Sequence, residues 1–523
     1  MNSLTRRAAL GGLVAGGALL LPRSRSLASQ GWKTDPFTLG VAAGEPRPDS
    51  VLLWTRLAPD PLSADPATPG GMSGDSVPLT LEVATDDTMR NVIRRETVTA
   101  EKDYAWSVHA EVAALEPGRP YWYRFTAKDA VSPIGRAMTA PAAGAQPDKL
   151  RFAYFSCSNY EMGYFSAYRH AADEMPDFGI FLGDYIYEYP ALKPAVPRRH
   201  SGGDDCKTLA QYRNRHAQYR TDADLQRLHA LVPSLITWDD HDVQNDYADK
   251  WSQTFDDPDV FLLRRGAAYQ AFYEHMPIRN RPSGPALQIY DRFDFGDLLQ
   301  VDLIDGRQYR SREACYAKPD KGHGHPETKA GCPELLDPSR SMIGMAQEAW
   351  LFDGLARSKA RWNLIAQDVL MAQMKEKQPS GDFGYWTDDW NGYPESRARL
   401  LQQIQDSKPA NPVVITGDIH SFWANDLKLD FDNPDSPTVA TEFVGSSVTS
   451  MGPKPGQFEA FLPDNPHMKY FNGSNRGYVS VDVSRKEMNV RFRAVTDVTD
   501  PKTDIRTLAA FTLEDGRAGV VQA

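Results

Sequence analysis

Chemistry-bearing residues in this chain gather where apolar runs end. Gly183-Asp184-Tyr185-Ile186-Tyr187 and Gly417-Asp418-Ile419-His420 each close such a run. In both, a glycine allows a tight turn, and the acid that follows is costly to leave uncompensated beside a core. A bound cation resolves that conflict. Tyr187 follows Asp184 and His420 follows Asp418 so closely that each loop offers two ligands from one turn. One Gly-Asp pair by itself more often marks a turn than a site. Two of them point to a shared metal centre when Asp239-Asp240-His241-Asp242 closes a third apolar run and Cys157 a fourth.

These loops need strands to place them. From about residue 150 the runs RFAYFSCSN, FGIFLGDYIY, PSLITWDDHD, LLQVDLIDGRQYR, WNLIAQDVLM and PVVITGDIHS alternate with helical stretches. That alternation predicts a layered α/β catalytic domain over 150–523, with ligands collecting at the carboxyl ends of the strands. Ahead of it, short β-rich runs such as FTLGV, SVLLWTRL, LTLEVA and YWYRFTA are separated by turn signals and predict an all-β antiparallel sandwich over 33–145. Within it, LEPGRPYWYRF resembles a fibronectin type III corner, so the sandwich is expected to be fibronectin- or immunoglobulin-like and to bind or pack. TAPAAGAQPDK reads as the linker. A length of 523 residues fits two domains, since one core stops growing at roughly 250–300 residues.

Residues 1–28 read as an export signal. MNSLTRR supplies positive charge, Ala8 to Leu21 is apolar, and Ser26-Leu27-Ala28 offers a cleavage point. The apolar stretch falls short of the roughly 20 residues a membrane-spanning helix needs. Arg6-Arg7 points to the twin-arginine export machinery, although Ala9 stands where the fuller signal carries Phe. A periplasmic or secreted location is therefore expected. The formal net charge of −11 excludes nucleic acid as a standing partner. In an oxidising compartment Cys315 and Cys332, which flank YAKPDKGHGHPETKAG, are the expected disulfide, with Cys206 left unassigned.

The chain resembles the PhoD-type alkaline phosphatases and phosphodiesterases of the calcineurin-like metallophosphoesterase superfamily. The resemblance rests on LGVAAGEP, FSCSN, FLGDYIYEY, TWDDHDVQNDY, DGRQYR, DWNGYP and TGDIH, in that order. It implies a metallophosphoesterase sandwich domain, a phosphoester substrate, and a site combining Fe³⁺ with Ca²⁺, one iron with one or two calcium ions. Where the superfamily has Asp-x-His, Ser156-Cys157-Ser158 stands here; its closing Gly-His-x-His becomes Gly417-Asp418-Ile419-His420. The site has exchanged imidazoles for a thiolate and an oxygen. Cys157, Tyr187 and His420 suit a highly charged Lewis acid such as Fe³⁺, and the oxygens of Asp184, Asp240, Asn245 and Asp418 suit Ca²⁺ better than Zn²⁺. Asp184 would bridge the metals. Asp240 replaces the Asn of the superfamily's Asn-His pair, Asn245 is the more family-typical oxygen, and both remain open.

Such a centre would attack phosphorus with metal-activated water and needs no side-chain nucleophile. Arg307 is a candidate fork for the phosphate oxygens, against a reading as a surface residue paired with Asp305. His241 either protonates the leaving group or orients a ligand. His323 and His325 are expected in a solvated loop, and the aromatic segment 383–393 as a lid or wall near the entrance. Two other functions remain on this reading: phospholipase D-like action on lipid head groups, and a non-catalytic binding protein stapled by metals.

Overall fold

The computed structural model describes residues 31–63, 65–192, 197–316 and 324–523. The export segment 1–28 with its Arg6-Arg7 pair, and His323, lie outside the described residues. Among the described residues no helix is long and apolar enough to cross a membrane.

The architecture is mixed α/β, built on two large sheets. The first has nine strands and carries at its centre the parallel trio Lys149–Phe155, Phe178–Leu182 and Ser234–Thr237. The second has seven, with Leu299–Leu303, Trp362–Ala366, Pro412–Thr416 and Thr438–Val444 parallel to one another. Their facing sides share one core: Phe152, Ile180 and Leu182 from the first sheet meet Val301, Leu364 and Ile415 from the second. The central strands are almost continuously apolar because both their faces are covered.

Helices cover the outer faces. Leu209–Arg220 and Pro258–His275 pack through Tyr212, Tyr219, Tyr269 and Phe272 onto the outer side of the first sheet. Met345–Arg357 and Pro394–Ser407 do the same for the second through Leu351, Leu355, Leu400 and Ile404. Local sequence sets their starts. Thr208 and Gln211 form a capping box, and Asp257 caps the helix that Pro258 opens.

The N-terminal segment is β-rich as expected, with two layers that share a core, and one of those layers is continuous with the nine-stranded sheet. Val77–Ala84, Val92–Ala100, Pro120–Ala127, Ala130–Val131 and Gly135–Met138 make a separate five-stranded sheet. Val41–Gly44, Val51–Arg56 and Ser107–Val112 instead extend the nine-stranded sheet, with Gly44 in parallel register opposite Ser234. Leu53 and Val108 on one side and Leu81 and Tyr123 on the other bury the space between them. A strand's pattern shows that one face is buried; it does not say which edge the strand joins.

Candidate metal centre

Every loop singled out above leaves the carboxyl end of a parallel strand. Cys157, Asp184 and Asp239 follow the three central strands of the first sheet, while Arg307, Asp368 and Asp418 follow strands of the second. The two sheets thus deliver their loops to one place. The turns are strained: Cys157, Asp184, Asp418 and His420 all have positive φ, between +51° and +62°. For residues with a Cβ that conformation is uncommon and concentrates at functional sites. Gly183, at φ +90°, lets two of these loops meet, since a Cβ there would lie 2.3 Å from Cβ of Asp239. At Gly417 a Cβ would strike Oγ of Ser156 at 2.4 Å.

Three groups of ligand atoms result, each with all its members within 4.8 Å of one another: Cys157, Asp184 and His420; Asp184, Asp240 and His241; Asp239, Asp240 and Asp418. Asp184 belongs to the first and second, and Asp240 to the second and third. The phenol of Tyr187 joins the first, donating to Oδ2 of Asp184 at 2.8 Å and lying 3.2 Å from Nε2 of His420. Ser450, with no signal in the sequence, donates to that same phenol oxygen at 2.7 Å. Nδ1 of His420 lies 2.7 Å from the Met451 carbonyl, which can only accept. The ring is therefore protonated at Nδ1 and presents the bare Nε2 lone pair to the cluster, the arrangement usual for a metal-binding imidazole.

The electrostatics fit a cation. Burial, with Asp184 and Asp418 alongside, pushes the Cys157 thiol well above its ordinary value. Burial and the neighbouring Asp184 and Cys157 do the same to Tyr187. Desolvation also raises Asp184, Asp239 and Asp418. Asp240 is the exception: Arg307 and His241 outweigh its burial and hold it below the usual carboxylate range. His420 is pushed down to about 4 by burial and by Arg476, so it is neutral. A thiol, a phenol and carboxylates that resist ionisation in the protein alone ionise when a multivalent cation shares their site.

The remaining predicted residues take clear places. Nδ1 of His241 lies 2.7 Å from Glu188, and its ring packs on Tyr187 with centroids 4.3 Å apart. Although burial opposes charge on that ring, Glu188, Asp240 and Asp184 raise it well above its ordinary value. The amide of Asn245 donates to the other oxygen of Glu188 at 2.9 Å. Glu188 therefore braces the Asp239–Asn245 stretch at His241 and at Asn245, a role that no sequence signal had pointed to. Asp242 is a brace as well, accepting from the amides of Asp239 and Ile186.

Arg307 is completely buried, which removes the surface reading. Its guanidinium is held by Asp239 at 2.5 Å and Asp388 at 2.8 Å, and Asp305 receives only its backbone amide. The aromatic segment is a wall rather than a lid: Tyr385, Trp390 and Tyr393 are buried, and its Asp388 anchors Arg307 and Arg310. His325 corrects the solvated-loop expectation. It is buried between Glu327 and Thr387, because the chain there pairs with the strand that carries the wall. Cys315 and Cys332 are bridged, while Cys157 and Cys206 are free.

An α/β fold whose strand ends converge on buried carboxylates, imidazoles and a thiol has the makings of a metalloenzyme. A family model described as PhoD-like phosphatase matches residues 152–492, and one described as its N-terminal domain matches residues 23–141. Alkaline phosphatase D of Bacillus subtilis (strain 168) is 40% identical, over 97% of this chain and 87% of that protein. The solved structure of PhoD superposes with a TM-score of 0.88 at 40% identity, covering 95% of this chain and 93% of that one. The chain belongs to the PhoD-like phosphatase family.

Proposed function

We propose that this protein is an exported, metal-dependent alkaline phosphatase/phosphodiesterase that acts in the periplasm or outside the cell after twin-arginine export. Residues 150–523 are its catalytic domain, of the metallophosphoesterase sandwich type, and 33–145 its β-rich N-terminal domain. One observation carries the reading: Asp184 is shared between the Cys157 and His420 group and the Asp240 and His241 group, as a carboxylate bridging two ions must be. Cys157, Asp184, Tyr187 and His420 would hold Fe³⁺, and Asp184, Asp240, Asn245 and Asp418 one or two Ca²⁺. Bound there, the ions would supply Lewis acidity and an activated water for attack on a phosphate ester.

The chain's own groups do the rest. Glu188 fixes the ring of His241 beside Asp184 and Asp240, where a proton held on it is within reach of a departing alkoxide. Arg307 is a positioning residue: it holds the ligand Asp240's neighbour Asp239 and the wall residue Asp388 while neutralising their charge. Ser450 orients the phenol of Tyr187, and the Met451 carbonyl sets the tautomer of His420. The test is hydrolysis of p-nitrophenyl phosphate and bis(p-nitrophenyl) phosphate by mature protein supplied with iron and calcium. Turnover that a calcium chelator suppresses is expected. No hydrolysis of either ester would overturn the reading.

A further inference from the structure

The ligand cluster accounts for the phosphoryl group and leaves open what reads the rest of the substrate. Two exposed large hydrophobic residues answer that, one packed on the proposed acid His241 and the other bonded through its backbone to the proposed ligand His420. Tyr189 is 37% exposed, and its ring meets the ring of His241 edge-on with centroids 4.9 Å apart. Met451 is 71% exposed, and its backbone carbonyl holds Nδ1 of His420 at 2.7 Å. Tyr187 lies between them, packed on His241 and bonded to Ser450. Single exposed apolar residues are ordinary; a pair flanking a polar, charge-dense centre is a binding feature.

The charges nearby point the same way. Three guanidiniums of the site are committed to the protein: Arg307 to Asp239 and Asp388, Arg310 to Asp388, and Arg476 to the carbonyls of His420 and Gly473. Tyr189 packs on the ring of His241, whose ligand atom lies within 4.8 Å of carboxylate oxygens of Asp184 and Asp240. Bound cations would balance the phosphoryl group, but among the described residues the three arginines just named are already paired, so a second anionic group on the substrate would meet acids first.

We propose that Tyr189 and Met451 are specificity-determining residues that select phosphate esters bearing an uncharged apolar substituent. This rests on the phosphoesterase reading given above. The probe is a pair of diesters with one leaving group and one charge: p-nitrophenyl phenyl phosphate and p-nitrophenyl methyl phosphate, assayed on metal-loaded mature enzyme. Wild type favours the phenyl ester in kcat/KM. In Tyr189→Ser and Met451→Ser that preference falls several-fold each, and about tenfold in the double variant, through KM for the phenyl ester. Comparing variant with wild type cancels the intrinsic difference in reactivity. A phenyl-to-methyl ratio unchanged in the double variant overturns the assignment while leaving the enzyme reading intact. Absence of turnover of both diesters by a wild type that still hydrolyses p-nitrophenyl phosphate overturns the selectivity alone, whereas absence of turnover of all three esters overturns the enzyme reading and the selectivity with it.

Discussion

Gly183→Ala separates the two demands that the centre makes on its backbone. At φ +90° an L-residue loses about 1–2 kcal/mol from conformation alone. The added methyl would lie 2.3 Å from Cβ and 2.4 Å from the amide nitrogen of Asp239, and 2.7 Å from the carbonyl carbon of Trp238. Carbon atoms settle at roughly 3.5–4.0 Å, so the loop holding Asp239 and Asp240 must retreat by about 1 Å. Overpacking of that kind costs a further ~1–3 kcal/mol, giving about 2–5 kcal/mol in all. Gly74→Ala is the control. Its φ is +87° and nothing lies within 4 Å of the new methyl, so only the conformational part, about 1–2 kcal/mol, applies. Urea unfolding monitored by circular dichroism gives both values, and metal content is measured on the same samples. Gly183→Ala is expected to lose more stability than the control, to bind less metal, and to fall about 100-fold in activity, as a misplacement near 1 Å does. Equal stability losses with full metal content in both would refute the claim that close approach of these loops builds the site.

Arg307→Met leaves Asp239 buried without its counter-ion and Asp388 with Arg310 alone, and urea unfolding should show a loss of about 3–5 kcal/mol. Metal-free protein should lose stability as pH rises from the ordinary carboxylate value of 3.8 towards 8. Burial raises Asp242 to about 7 and Asp246 to about 8, so the folded chain binds more protons than the unfolded one across that window. Metal-loaded protein should show a shallower fall, as the difference between the two unfolding curves against pH checks. Replacing both Cys315 and Cys332 with Ser opens a link between residues 17 apart, and should lower unfolding stability by about 3 kcal/mol while making it insensitive to reductant.

Much of the centre could be read from the sequence because strand ends mark themselves. An apolar run that stops at Gly-Asp or at Asp-Asp-His states both where a strand ends and that an acid is held there. Asp184, Asp240, His241, Asp418 and His420 were found that way, Cys157 as the residue closing another apolar run, and the structure brings them together. The braces Ser450 and Met451 were not found, since they come from a distant segment and carry no local pattern, and Asp388 was read only as part of the aromatic segment 383–393. Arg307 could be read as charged near the site, but its burial depends on Asp388, which follows it by 81 residues. Likewise the pairing of Val41–Gly44 beside Ser234–Thr237 is a long-range choice of edge, which periodicity does not encode. His325 looked like loop because its neighbours are polar; the strand that buries it begins only at Phe383.

The central claim is a mixed soft and hard metal centre organised around Asp184. Elemental analysis of the mature protein, beside its visible spectrum and that of Cys157→Ala, tests it most directly. One iron and one or two calcium ions per chain, with an absorption band that disappears together with the iron in a folded Cys157→Ala, is the expected result. Stoichiometric zinc in place of iron, or a Cys157→Ala protein that keeps its iron and an unchanged spectrum, would contradict it.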